Sequence, residues 1–177
     1  EENIDTERNF RSLFHAVNAM AQKYDMPVLY SCHPRSRIRL ENSGFSLDSR
    51  VIPHEPLGFH DYNALQMKAF AVVSDSGTLP EESAYFNSIG HPLAAVCIRT
   101  STERPEALDK GSFIISGITT EGLLQSVDLA VEMNQANDTG TAVPDYADLC
   151  FSTKVVKIIQ SYTRIIDQMV WRKRENL

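Results

Sequence analysis

The stretch that decides the fold is Phe70-Ala71-Val72-Val73-Ser74-Asp75-Ser76-Gly77-Thr78-Leu79-Pro80-Glu81-Glu82. Its first four residues are a continuous apolar run, the pattern of a parallel strand that is covered on both faces. Asp75 and Gly77 end that run, and Pro80 suits the first turn of a helix, where a missing N–H does no harm. The stretch therefore predicts a buried strand, a polar turn and the beginning of a helix.

The polar turn is a candidate anion site. Ser76, Gly77 and Thr78 lie between a strand and a helix N-terminus, where backbone N–H groups and hydroxyls together commonly hold phosphate. One turn into the helix, Glu82 can accept hydrogen bonds from a ribose diol whose phosphates lie at the turn. The same residues also fit an ordinary capped connection, with Glu82 complementing the helix dipole. This stretch alone leaves both interpretations open.

The rest of the chain alternates between strand patterns and helix patterns. Apolar runs predict further strands at 27–31, 50–53, 93–98 and 113–115. Helical spacing and capping residues predict helices at 5–24, 36–41, 59–69, from residue 80 to before residue 90, and at 105–110, 121–133 and 152–174. This alternation is typical of an α/β fold, a Rossmann-like doubly wound parallel sheet. We expect one domain over residues 1–177, closed by the long helix at 152–174.

That terminal helix has a long apolar face, which we expect to point inward. The residues of this face are Val155, Ile158, Ile159, Tyr162, Ile165, Ile166 and Met169. A long covering helix would account for it. If the surface that it covers belongs to a part of the protein outside this sequence, the face is exposed, docks on its own domain or drives self-association.

Composition excludes several classes of protein. A net charge of -6 and a pI near 5.3 provide no basic surface for nucleic acid or an anionic membrane. No apolar run approaches the roughly 20 residues that span a bilayer. Cys32, Cys97 and Cys150 are isolated, which is typical of reduced thiols in a cytoplasmic protein. The histidines show no zinc-ligand spacing, so we expect no metal and no cofactor.

Other candidate residues lie where the predicted strands end. In an open parallel sheet, ligands bind outside the carboxyl ends of the strands. His33, Tyr62, the Ser76 turn and the loop from Arg99 to Arg104 can then converge on one edge. Arg104 suits a phosphate or carboxylate through its planar guanidinium, although a surface loop with an internal ion pair fits as well. A histidine before a proline, as His33 is, is also a common turn residue.

Established catalytic and nucleotide motifs are missing from the sequence. Ser76 lacks the G-x-S-x-G context of a Ser-His-Asp hydrolase. There is neither G-x-G-x-x-G nor G-x-x-x-x-G-K, which argues against dinucleotide-binding and P-loop proteins.

Four segments together resemble the non-hydrolysing UDP-GlcNAc 2-epimerase family. They are Glu1-Glu2-Asn3, His33-Pro34-Arg35, Ser74-Asp75-Ser76-Gly77-Thr78-Leu79-Pro80-Glu81-Glu82 and Ser101-Thr102-Glu103-Arg104-Pro105-Glu106-Ala107. Further runs are similar to the branch that makes UDP-N-acetyl-L-fucosamine for capsule and O-antigen. These are Pro56-Leu57-Gly58-Phe59, Asp61-Tyr62, Ala107-Leu108-Asp109-Lys110-Gly111 and Ile159-Gln160-Ser161-Tyr162-Thr163.

The resemblance implies the C-terminal, nucleotide-binding half of a two-domain GT-B-like isomerase. It implies that Ser76, Gly77 and Thr78 hold the diphosphate of a UDP-sugar and that Glu82 holds the ribose. Tyr62 takes the position of the aromatic residue that stacks on uracil. The second glycine of the family's D-S-G-G turn is Thr78 here, which leaves the backbone's approach to the diphosphate open.

Three further roles follow from the same resemblance. It places His33 at the sugar-nucleotide site, where the histidine of some members contacts a second, regulatory molecule. It places Glu103 and Arg104 near the diphosphate, with a possible part in catalysis.

The family inverts C2 of the sugar by loss and re-addition of UDP, with its main acid/base carboxylates in an N-terminal domain. The chain starts at Glu1 without an initiator methionine, so we expect a fragment that binds UDP-sugars without epimerising them. The parent would need the missing N-terminal domain, and the resemblance implies a homodimer, since family dimers usually use surfaces of that domain. Alternatives are a plain UDP-GlcNAc 2-epimerase giving UDP-ManNAc, the nucleotide half of a GT-B glycosyltransferase, and a non-catalytic sugar-nucleotide sensor.

Overall fold

Strands and helices alternate as the sequence predicts, in a computed structural model that describes residues 6–173. Within those residues the strands are β1 (Val28–Ser31), β2 (Val51–His54), β3 (Val72–Ser74), β4 (Ala95–Cys97) and β5 (Ile114–Ile115). The helices are α1 (Glu7–Tyr24), α2 (Pro34–Ser43), α3 (Phe59–Gln66), α4 (Leu79–Ser88), α5 (Pro105–Asp109), α6 (Thr120–Gln135), α7 (Pro144–Ala147) and α8 (Phe151–Met169). All ladders are parallel, so the predicted Rossmann-like α/β class is confirmed.

The chain divides into two compact units, Glu1–Val143 and Pro144–Leu177. The first contains all five strands that the structure describes, together with α1 to α6. The second contains α7 and α8.

The parallel strands of the first unit form two ladders instead of one continuous sheet. β1 pairs with β2, and β3, β4 and β5 pair in that order. Within residues 6–173 no ladder joins β1 to β3. The Asp75 carboxylate, just after β3, helps to raise the pKa of Tyr30 in β1, after burial and the Cys32 thiol. The two strand ends are therefore within electrostatic reach of each other without sharing ladder hydrogen bonds.

The register of each ladder determines which backbone N–H and C=O groups take no part in its hydrogen bonds. The Val28 N–H donates to the Arg50 carbonyl and the Cys32 N–H to the His54 carbonyl, so the peptide groups of Leu29 and Ser31 point away from β2. The same alternation turns Val73 of β3 away from β4.

Proline is tolerated in β2 for the same reason. Pro53 lies opposite Tyr30, at a position whose nitrogen faces away from β1. Its missing N–H therefore costs no ladder bond, and the strand predicted at 50–53 forms at Val51–His54.

One apolar core joins both ladders on the face that α1 and α6 cover. The predicted apolar face of α1 is buried, with Phe10 and Phe14 fully so. It packs with Leu123 and Val127 of α6 and with Val96 of β4. Burying side chains of this size contributes about 1.5–3 kcal/mol each.

The neighbours of Val96 show that β4 is covered on its other face as well. Ala95 and Cys97 point to the opposite face from Val96 and are also buried. α4 buries Leu79 and Phe86 outside the α1–α6 core. β4 is thus covered on both faces, as a doubly wound fold requires.

Element boundaries differ from the predictions in several places. α3 ends at Gln66 instead of residue 69, and β3 begins at Val72 instead of Phe70. The Phe70 ring packs on Tyr24, 5.1 Å between ring centroids, and stays outside the ladder. α2 is longer than predicted because His33 caps its start. α7 forms at Pro144–Ala147, where the sequence predicted no helix.

The apolar face of the terminal helix is exposed and does not point inward as expected; exposure is one of the alternatives that the sequence left open. α8 buries no residue, and of the seven residues predicted to face inward, all but Val155 are exposed. The helix ends at Met169 rather than near residue 174, and Trp171 beyond it is 65% exposed. The predicted apolar periodicity of α8 is present, but the face that it forms is exposed.

Candidate functional site

The turn between β3 and α4 is held in shape by its own hydroxyl groups. Ser74 Oγ accepts from the Ser76 N–H at 3.0 Å, and Ser76 Oγ accepts from the Thr78 N–H at 3.2 Å. The Ser76 and Thr78 hydroxyl oxygens lie 2.8 Å apart. α4 begins directly afterwards with Pro80 in its first turn, so these hydroxyls lie at the positive end of the helix dipole.

Glu82 connects this turn to α3. Its Oε1 accepts from the Thr78 hydroxyl at 2.9 Å. Its Oε2 accepts from the Tyr62 hydroxyl at 3.2 Å and from Gln66 Nε2 at 2.7 Å. Three donors thus fix the plane of one carboxylate. The structure thereby brings together four of the residues singled out in the sequence: Ser76, Thr78, Glu82 and Tyr62.

The Tyr62 phenol is neutral at physiological pH and can therefore donate. Burial, followed by the charge and the hydrogen-bond demand of Glu82, raises the pKa of Tyr62 to about 12. The ring itself is half-buried and belongs to α3. A partly exposed aromatic ring can stack on a planar base.

Gln66 was missed in the sequence. It lies four residues after Tyr62 on α3, so the two side chains share a helix face. It is 4% exposed, and its Nε2 also donates to the Tyr62 hydroxyl at 2.7 Å. The i, i+4 spacing was visible in the sequence, but only the packing of α3 on α4 shows that both side chains reach Glu82.

The loop after β4 closes over the same turn. Arg99 Nε donates to the Asp75 carbonyl at 2.6 Å and anchors the loop to the end of β3. A Cβ at Gly77 would lie 3.9 Å from Glu103 Oε2, which is ordinary van der Waals contact. Arg99 and Glu103 also pair within the loop, Nη1 to Oε1 at 3.6 Å.

Arg104 ties this loop to α4 through an ion pair. Its Nε lies 2.6 Å from Glu81 Oε1, and both side chains are a little over one-third exposed. This pair joins two elements across the turn, and the loop also has the internal ion pair that the simpler interpretation expected, between Arg99 and Glu103. The Arg104 guanidinium is therefore held beside the residues that the sequence assigns to phosphate.

His33 lies at the end of β1, in the other ladder. Its Nδ1 accepts from the Arg35 N–H at 3.3 Å and caps α2. The side chain is exposed. The structure gives it the local turn role that the sequence also allowed.

Between residues 6 and 173, no group of three or more His, Cys, Asp or Glu side chains is placed to hold a metal ion. In the same part of the chain, no helix combines the length and apolar character that crossing a bilayer requires.

Comparison with known proteins gives a consistent result. The family model described as UDP-N-acetylglucosamine 2-epimerase matches residues 1–160. A UDP-N-acetylglucosamine 2-epimerase of Methanococcus maripaludis is 30% identical over 138 residues, which are 76% of this chain and 36% of that protein.

Solved structures agree with this match. A UDP-N-acetylglucosamine 2-epimerase from Rickettsia bellii superposes with a TM-score of 0.82 at 34% identity, covering 95% of this chain and 45% of that one. The Methanocaldococcus jannaschii UDP-GlcNAc 2-epimerase, in complex with UDP-GlcNAc and UDP, shares the fold with a TM-score of 0.77 at 21% identity. This superposition covers 90% of the present chain and 42% of the Methanocaldococcus jannaschii chain.

The chain spans less than half the length of these relatives. The match nevertheless extends over nearly all of its own residues, including the β3–α4 turn and the loop after β4. On this evidence the chain belongs to the UDP-N-acetylglucosamine 2-epimerase family.

Proposed function

We propose that this chain is the UDP-binding part of a UDP-N-acetylhexosamine 2-epimerase. The observation that carries the proposal is the hydrogen-bonded series Ser76–Thr78–Glu82, which begins at a helix N-terminus and ends at a carboxylate. A nucleoside diphosphate presents the complementary series, with phosphate oxygens that need donors and ribose hydroxyls that need an acceptor.

The diphosphate lies at the β3–α4 turn in this proposal. Ser76 donates its hydroxyl, and Gly77 leaves the backbone open to close approach because it has no side chain. The helix dipole adds a favourable potential for an anion. Arg104 supplies the positive charge, held across the turn by Glu81.

The nucleoside lies toward α3. Glu82 accepts from the ribose hydroxyls, and Tyr62 stacks on the uracil ring. The neutral phenol and the carboxylate are already hydrogen-bonded to each other, so binding needs little reorganisation of either side chain. His33 is the remaining candidate contact to the sugar nucleotide, from the end of β1.

In the proposed reaction, a base removes the proton from C2 while the bond from C1 to UDP breaks, which gives a 2-acetamidoglycal and UDP. UDP then adds back to C1, and a proton is delivered to the other face of C2, so no atom is gained or lost. This chain stabilises the departing diphosphate through Arg104 and the turn, with Glu103 beside them. We assign the acid/base carboxylates to an N-terminal domain outside this sequence.

Two substrates fit this proposal equally. One is the precursor of UDP-N-acetyl-L-fucosamine in capsule and O-antigen synthesis, and the other is UDP-GlcNAc, which gives UDP-ManNAc. We propose that the parent protein is a homodimer. Its remaining residues would determine which sugar is inverted. By itself the chain is expected to bind the nucleotide without epimerising the sugar.

Calorimetric titration of the 177-residue chain with UDP, UMP and UDP-GlcNAc tests the proposal. We expect saturable binding of UDP, weaker binding of UMP, and loss of UDP binding in Ser76→Ala and Glu82→Ala. Ser88→Ala, whose hydroxyl bonds the Tyr85 carbonyl at the far end of α4, is the matched control and should bind normally. A folded chain that binds UMP as tightly as UDP would contradict the assignment of the turn to the diphosphate.

A further inference from the structure

We propose that Gln66 is a positioning residue for ribose recognition, and that it makes the site distinguish ribonucleotides from deoxyribonucleotides. The inference rests on the proposed function, because it concerns the same carboxylate. Gln66 would not touch the nucleotide. It would act through Glu82 and Tyr62, whose orientation it fixes.

The contacts of Gln66 are directed at these two side chains. Its Nε2 donates to Glu82 Oε2 and to the Tyr62 hydroxyl, both at 2.7 Å. The direct bond from Tyr62 to Glu82 is longer, at 3.2 Å. The amide therefore makes the shorter contact to the carboxylate and also links the phenol to it.

The side-chain oxygen of Gln66 indicates that this residue is present for the hydrogen bonds that its N–H groups donate. Gln66 is 96% buried, and its Oε1 has no hydrogen-bond partner. A buried amide oxygen without a partner is unfavourable, and an apolar side chain of similar length would avoid it. Packing alone thus favours methionine or leucine at this position. The polar side chain is explained if its N–H groups are required.

The two oxygens of Glu82 have separate partners. Tyr62 and Gln66 engage Oε2 from α3, whereas Oε1 faces Thr78 and the turn. With Oε2 held from α3, Oε1 is the carboxylate oxygen that remains to accept from the ribose hydroxyls, between the turn and α3. Without Gln66, one long hydrogen bond from the phenol would remain to hold Oε2, and the carboxylate could rotate.

The test compares UDP with 2′-deoxy-UDP and 3′-deoxy-UDP on the wild-type chain and on Gln66→Met. The wild-type chain is expected to bind UDP about tenfold more tightly than at least one of the deoxy compounds, since that compound leaves a carboxylate lone pair unused. In Gln66→Met this ratio should fall to within about threefold. The ratio of UDP to UMP affinity should stay unchanged, because the phosphate turn is intact.

A double-mutant cycle separates positioning from general packing. If Gln66 acts through Glu82, Gln66→Met should have no further effect on the ribose ratio in a Glu82→Gln background. A structural role would instead lower the affinities for UDP and for both deoxy compounds alike, and leave the ribose ratio at its wild-type value. Gln22→Met, which changes an exposed glutamine that pairs with Asp48, is the control for the chemical change.

Each outcome bears on a different claim. Absence of UDP binding in the folded wild-type chain overturns the proposed function. Wild-type binding without discrimination between UDP and its deoxy forms, or a Gln66→Met chain with the wild-type ratio, overturns the inference alone. A Gln66→Met chain that does not fold overturns it too, because the amide would then serve the packing of α3.

Discussion

Thr78 donates its hydroxyl to Glu82 Oε1 across 2.9 Å, and the same hydroxyl lies 2.8 Å from Ser76 Oγ. One threonine thus connects the two halves of the proposed nucleotide site. It stands where the family turn usually has a second glycine. The extra side chain therefore brings a hydroxyl into the site in exchange for some backbone freedom.

Replacing Thr78 by valine should weaken UDP binding about twofold to tenfold, the range for one net hydrogen bond. The shape of the side chain is kept, but Glu82 loses a donor and Ser76 a neighbour. Calorimetry measures the change, with Thr78→Ser as the control that keeps the hydroxyl. Tighter binding in Thr78→Val would show that the hydroxyl competes with the ribose for Glu82.

Arg104→Met should lower UDP affinity about tenfold or more, with a smaller loss for UMP. The substitution keeps most of the apolar stem and removes a charge-assisted contact to phosphate. The matched control is Arg37→Met on α2, which removes ion pairs with Glu41 and Glu55. Equal losses for UDP and UMP would place Arg104 away from the second phosphate.

Gly140→Ala should destabilise the first unit far more than Gly90→Ala. Both glycines have positive φ, +77° and +80°, which costs a residue with a Cβ about 1–2 kcal/mol. A Cβ at Gly140 would also clash with the Lys110 carbonyl oxygen, whereas at Gly90 nothing lies within 4 Å. We expect a difference of about 1–3 kcal/mol in the free energy of unfolding, measured with urea. Equal costs would show that the 140 loop moves freely.

Because of Asp48, the free energy of unfolding should depend on pH in the acidic range. Hydrogen bonds from the Arg50 side chain, then from the Arg50 N–H, hold the pKa of Asp48 far below its usual range. A pKa lowered by folding contributes stability above the unfolded value of about 3.9, and the contribution disappears as pH falls below it. The stability difference between wild type and Asp48→Asn should therefore be constant from about pH 7 to 5 and shrink below about pH 4. A difference independent of pH would contradict this assignment.

The sequence predicted local structure well wherever a short pattern decides it. The apolar face of α1 and the Pro80 helix start follow from spacing and backbone chemistry. The Ser76 turn was located from three residues, because a strand that runs into a helix leaves few other conformations. The neighbourhood of Glu82 was predicted in part, since Gln66 reaches it only through the packing of α3 against α4.

Two features depend on contacts that periodicity cannot show. The apolar face of α8 is real, but a repeat of apolar residues does not say whether anything covers it. The division of the sheet between β1 and β3 was also not predicted. The residue pattern of a strand is the same whether the strand pairs on one side or on both, so it cannot show where a sheet divides.

That division leaves one edge of β1 and one edge of β3 without a ladder partner among the described residues. The N–H and C=O groups of Leu29 and Ser31 lie on the first edge and those of Val73 on the second. An unused edge of this kind can accept a further extended strand. Any strand that pairs with β1 or β3 at these edges, whether from this chain or from another, would therefore form its hydrogen bonds with the peptide groups of these three residues.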